Sequence, residues 1–180
     1  RLVGVLAPVV VLAALVLVFR PGNEPAPVIS VTRPGEIIAS IRAEPRTFNP
    51  FISRDPITEA LTALTQGRLV RINRATFELE PWLAEEWESS ADGRTHTLHL
   101  RPGVTWSDGT PFTSADVLFS LRAVYDPKVE SVLASRLTVG GQSLRATAPN
   151  LEDVVITFAV PSGPGLRLLD GLPILPKHKL

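Results

Sequence analysis

Residues Leu2 to Phe19 run for 18 positions without a charged or strongly polar side chain, between Arg1 and Arg20. No other feature limits the chain so tightly, because such a segment must find a way out of water. As a helix it would span roughly 27 Å, close to the hydrocarbon thickness of a bilayer. Pro8 would bend that helix without excluding it. A cleaved signal peptide has an apolar core of about 7 to 15 residues and a small-x-small cleavage site. The run here is longer and no convincing site follows Phe19, so an uncleaved transmembrane anchor is the stronger reading and a cleaved signal the next. A buried core helix would show a polar stripe, which is missing. Both favoured readings place the remaining residues outside the cytoplasm. The chain contains no Met and begins at Arg1, so its native start is expected further upstream.

After this segment, Pro21, Pro25, Pro27 and Pro34 with Gly22 and Gly35 describe an extended linker over residues 20–35. The folded part is expected over 36–180. Glu36 to Ala43 reads as a strand with Ile37, Ala39 and Ile41 on one face. Pro45 to Asp55 reads as a loop. Asp55 should cap a helix that has Pro56 at its first position, Ile57, Ala60, Leu61 and Leu64 as its apolar stripe, and Gly67 as its stop. Leu69 to Ile72 is a short strand. Asp92-Gly93 is a hairpin signal between Trp87 and the alternating run Thr95 to Leu100, so Arg94 to Arg101 should pair with residues around Trp87 to Ser89. Asp108-Gly109 is a second turn. Thr113 and Asp116 form a T-x-x-D capping box for a helix burying Val117, Leu118, Leu121, Val124 and Tyr125. Another helix is expected over Val129 to Leu137. A strand pair follows at Ser143 to Thr147 and Val154 to Val160, then a short helix at Gly165 to Leu169. The class is α+β, with strands dominating the middle.

Several chemistries are excluded. Without Cys there is no disulfide, no thiol nucleophile, no thiolate metal site and no lipid-bearing Cys after the apolar run. Eighteen basic residues balance eighteen acidic ones, so nothing suggests a nucleic-acid partner. His96 and His99 are three apart on an expected strand, hence on opposite faces and unable to share a metal. No GxxxxGK and no GxSxG occurs. Asp108, Asp116 and Asp126 are better read as turn and helix-end residues than as a catalytic cluster, and Trp82, Trp87 and Trp106 as core rather than a stacking platform. No catalytic residue, metal or cofactor is expected.

From Pro81 to Ser120 the chain carries Leu83-Ala84-Glu85, Trp87-Glu88, Asp92-Gly93, Leu100-Arg101, Gly103-Val104, Asp108 to Thr113 and Asp116-Val117 in one order and spacing. Pro45 to Pro50 precedes them, and Ile174-Leu175-Pro176-Lys177-His178 follows. This arrangement resembles the family 5 extracytoplasmic solute-binding proteins, the dipeptide, oligopeptide and nickel binders of ABC importers. Asn49 stands where that family more often has Asp, and Phe48 where it has Leu. The resemblance implies a type-II-like, two-lobed periplasmic binding fold with an inserted α/β domain. The chain would be its N-terminal portion, the family's proteins being much longer. It also implies a small solute, by default a peptide, as ligand, and ABC permease subunits as partners. The loop Phe51 to Asp55 would face the ligand, with Ser53, Arg54 and Asp55 as polar contacts and Leu133, in the segment Ser131 to Leu133, as an apolar one. Asp55 as a plain helix cap and Arg54 as a solvated side chain are the competing readings. The other function considered is an anchored sensor or scaffold that reuses the binding fold.

Overall fold

The computed structural model describes residues 43–53 and 55–180. The apolar run, the linker, Arg54 and all of the strand expected at 36–43 except Ala43 lie outside the described residues. Among the described residues no helix is long and apolar enough to cross a membrane.

The described residues are a mixture of helix and short strands, as expected. Helix α1 (Pro56–Thr65) starts where the sequence places it, with Asp55 as N-cap and Pro56 at the first position. Its buried face differs from the expected one. Thr58 and Thr62 are buried, whereas Leu64 is 79% exposed. The two hydroxyls can go inside because each has a carbonyl: Thr58 Oγ1 donates to Thr47 O and Thr62 Oγ1 to Thr58 O, both at 2.7 Å. Strand β1 (Val70–Ile72) pairs antiparallel with β2 (Leu79–Pro81), a strand the sequence reading did not anticipate.

The centre is a four-stranded antiparallel sheet in the order β3 (Ala84–Ser89), β4 (Thr95–Leu100), β8 (Asp153–Thr157), β7 (Arg145–Thr147). The Asp92-Gly93 hairpin forms as expected, with Trp87 opposite Leu98 and Ser89 opposite His96. Gly93 adopts φ +66°, a backbone region that other residues enter at a cost. Period-two burial along β4 sends His96, Leu98 and Leu100 inward. Helix α2 (Ser114–Tyr125) covers that face with Val117, Leu121 and Val124. Leu118 and Tyr125, expected to be buried, are only half-buried. In the capping box, Asp116 Oδ2 accepts from Thr113 N at 3.0 Å.

The helix expected over Val129 to Leu137 is replaced by a series of turns. Glu130 has φ +50°, and Ser131 Oγ accepts Leu133 N at 3.2 Å, so the backbone is diverted before a helical ladder can start. Gly140-Gly141 turns a small hairpin between β5 (Thr138–Val139) and β6 (Gln142–Ser143), so the strand expected to begin at Ser143 is split, and of its two parts β7 alone joins the central sheet, on the free edge of β8. A 3₁₀ helix at Gly165–Gly171 leads to a second one at Lys177–Lys179.

Candidate functional site

The loop before α1 is built from side chains that substitute for backbone. Thr47 Oγ1 accepts Asn49 N at 3.0 Å, and Asn49 Oδ1 accepts Phe51 N at 2.9 Å. Asn at this position therefore supplies the same acceptor an Asp would. Phe51 is 1% exposed and anchors the loop in the core. Its carbonyl accepts Val132 N at 2.8 Å, which ties the loop to the turns that replace the expected helix. Ser53 and Leu133, 80 positions apart in sequence, thereby come to line one cavity of about 150 Å³. Leu133 is buried, so it offers the cavity only a small apolar edge.

Asp55 has another task. Its Oδ2 accepts Thr58 N at 3.2 Å, and its own N–H donates to Ser53 Oγ at 3.0 Å. It caps α1 and borders a shallow cleft on the other side of the loop, together with Arg46, Thr47 and Ser53. Arg54 lies outside the described residues. The structure thus unites Ser53 with Leu133 and leaves Asp55 outside that group.

The sequence reading missed the basic lining of the cavity. Arg68, Arg74 and Arg136 reach it from three separate segments, with Asp170 and Glu59 as its carboxylates. Asp170 is 8% exposed. It accepts Ile72 N and Arg74 Nη2, both at 2.9 Å, and lies 3.7 Å from Arg68 Nη1. No spacing in the sequence announces this cluster, since Asp170 meets Arg68 and Arg74 across nearly a hundred residues.

The other polar candidates serve the fold. Asp116 Oδ1 accepts Lys177 N at 2.9 Å, and Ser120 Oγ accepts Leu175 N at 2.8 Å. Asp108 shapes its turn through Thr110 N and pairs with His178 and Lys179, and the His178 contact chiefly holds its carboxyl well below the usual carboxylate range. Asp126 Oδ1 accepts Lys128 N. His96 and His99 do face opposite sides of β4: His96 meets Ser89 Oγ at 2.8 Å and His99 meets Asp153 Oδ1 at 2.7 Å. Trp87 and Trp106 are half-buried against the core, and Arg71 stacks over the Trp82 ring at 5.5 Å.

Comparison with known proteins gives a consistent result. The family described as "Bacterial extracellular solute-binding proteins, family 5 Middle" matches residues 78–179. The oligopeptide-binding protein OppA of Bacillus subtilis is 33% identical over 119 residues, which is 65% of this chain and 22% of that protein. Among solved structures, NikZ from Campylobacter jejuni in complex with Ni(L-His) is 30% identical with a TM-score of 0.64, over 77% of this chain and 27% of that one. Haemophilus influenzae OppA in complex with RPPGFSPFR is 28% identical with a TM-score of 0.64, over 76% and 29%. The chain spans about a quarter of the length of these relatives.

Proposed function

Since the chain belongs to the bacterial extracellular solute-binding proteins of family 5, we propose that it forms part of a longer protein that captures a peptide outside the cytoplasm and hands it to an ABC importer. In this reading residues 1–19 tether the protein to the membrane, 20–35 hold it clear of the surface, and 36–180 supply one wall of a cleft. A second lobe closes over the solute by hinge motion, and the closed form docks on the permease. No covalent step is involved. The supporting observation is the cavity that brings Ser53 of the first loop beside Leu133, because the Phe51–Val132 hydrogen bond makes a single surface of two segments assigned to ligand contact from sequence. Arg54, assigned to ligand contact from sequence, belongs to the same proposal as a charged contact.

The test is ligand-dependent thermal stabilisation of the protein that carries this chain, against peptides, oligosaccharides and nickel–histidine. Peptides should raise Tm in a concentration-dependent way. Arg54→Ala should weaken peptide binding by about 1.5–3 kcal/mol through loss of a charged hydrogen bond. Stabilisation by none of the three classes would overturn the solute-capture reading, and stabilisation by nickel–histidine alone would replace peptide by a metal complex. Peptide binding without impaired peptide uptake on gene deletion would favour a sensor over an importer component.

A further inference from the structure

We propose that the cavity beside Ser53 is a carboxylate subsite, which receives a terminal or side-chain carboxylate of the solute on the Arg136 guanidinium. The proposal rests on the solute-capture reading and adds the chemical class of the group bound there.

Charge balance carries it. Three guanidiniums line the cavity, those of Arg68, Arg74 and Arg136, against two carboxylates. Asp170 is already committed. Its Oδ2 takes Arg74 Nη2, and its Oδ1 takes the backbone N–H of Ile72, leaving Arg68 Nη1 at 3.7 Å. Arg68 is therefore only partly compensated, and its buried Nε has no hydrogen-bond partner among the described residues. Glu59 forms no ion pair with any of the three among the described residues, although it lines the same cavity. The Arg136 guanidinium makes neither a hydrogen bond nor an ion pair among the described residues, only its backbone N–H being engaged, by Leu133 O. A Cβ built on Gly171 would lie 3.4 Å from Arg136 Nη2, which puts this third guanidinium beside the residue that follows Asp170. The result is one excess positive charge at a recess whose buried carboxylate, Asp170, is already engaged by Arg74 and the Ile72 N–H.

Size decides which part of a ligand fits. A recess of about 150 Å³ is small beside the about 300–1,000 Å³ of ordinary ligand pockets, so it suits a carboxylate and a short stem better than a whole peptide. A planar, five-donor guanidinium with no partner suits the two oxygens of a carboxylate better than a neutral amide. Ser53, on the wall of the same recess, is the other polar group on the loop side.

The experiment compares ligands that differ only in the charged group, at constant ionic strength, in the protein that carries this chain. Calorimetry is run with trialanine and with trialanine amide. Glutarate and glutaramide provide a second pair without peptide bonds. Each is repeated on Arg136→Gln and Arg136→Lys. Arg136 is exposed, so neither substitution opens the core. The expected result is at least about tenfold tighter binding of each acid than of its amide, a preference lost in Arg136→Gln and partly kept in Arg136→Lys. Equal affinity for trialanine and its amide would overturn the subsite while leaving solute capture intact. An acid preference that survives Arg136→Gln would overturn the assignment to this residue. Saturable glutarate binding that needs Arg136, with no binding of either peptide, would support the subsite and count against a peptide as the solute.

Discussion

Asp116 shows how one side chain can hold two distant segments at once. It is 4% exposed, and its carboxylate accepts Thr113 N at the start of α2, Lys177 N from the chain's last turn and, at 3.4 Å, the Trp106 indole N–H. Replacing it with Ala strands a cap donor and a second backbone N–H. Asp116→Ala should therefore cost about 2–4 kcal/mol, read as a lower urea midpoint with an unchanged slope. His96 makes a different residue-scale prediction. Burial against Phe158, whose ring stands edge-on at 5.2 Å, pushes its imidazole below the usual value. The folded state then refuses a proton that the unfolded chain accepts near about 6.5. The stability contributed by the neutral ring is complete above that pH and is lost as pH falls through the lower folded-state value. The urea midpoint should decline between about pH 7 and 5, and His96→Asn should flatten that decline.

At the scale of elements, the β3–β4 hairpin depends on a single backbone conformation. Gly93 sits at φ +66° with open space where a Cβ would go, so Gly93→Ala meets no clash and tests backbone strain alone. It should cost about 1–2 kcal/mol. A loss below a few tenths of a kcal/mol would mean that the turn relaxes instead. Strand β4 tolerates less change on its inner face. Leu98, fully buried between Trp87 and Val154 in the pairing, should lose about 2–5 kcal/mol as Leu98→Ala.

For the whole molecule, Asp170 is the long-range tie between β1 and the 3₁₀ helix at Gly165–Gly171. Removing it leaves the largely buried guanidinium of Arg68 without its carboxylate. Breaking a buried pair on one side costs more than the pair contributes, so Asp170→Ala should destabilise by about 3–5 kcal/mol. The exposed pair Arg71–Glu80, with Arg71's side chain 53% exposed, should by contrast be worth less than about 1 kcal/mol, and Glu80→Gln serves as the internal comparison. Equal losses for the two would show that Asp170 is not the tie.

Local interactions let the sequence determine α1 with its Asp55 cap, the Asp92-Gly93 hairpin, the capping box of α2 and the family. Each depends on residues within a few positions of one another: a side chain reaching its own helix start, or a glycine where φ must be positive. Tertiary contacts decided the rest. The apolar stripe of α1 gave way to the Thr58 and Thr62 face because the loop before it sets the Thr47 carbonyl against the Thr58 hydroxyl, while Thr62 is satisfied within the helix. The helix expected at 129–137 became turns that hand Val132 N to Phe51 O. The meeting of Ser53 with Leu133, and of Arg68 and Arg74 with Asp170 in the cavity that Arg136 also lines, depends on segments up to about a hundred residues apart. Periodicity reports only which face of an element is apolar, and no local pattern encodes which distant charge that face will meet.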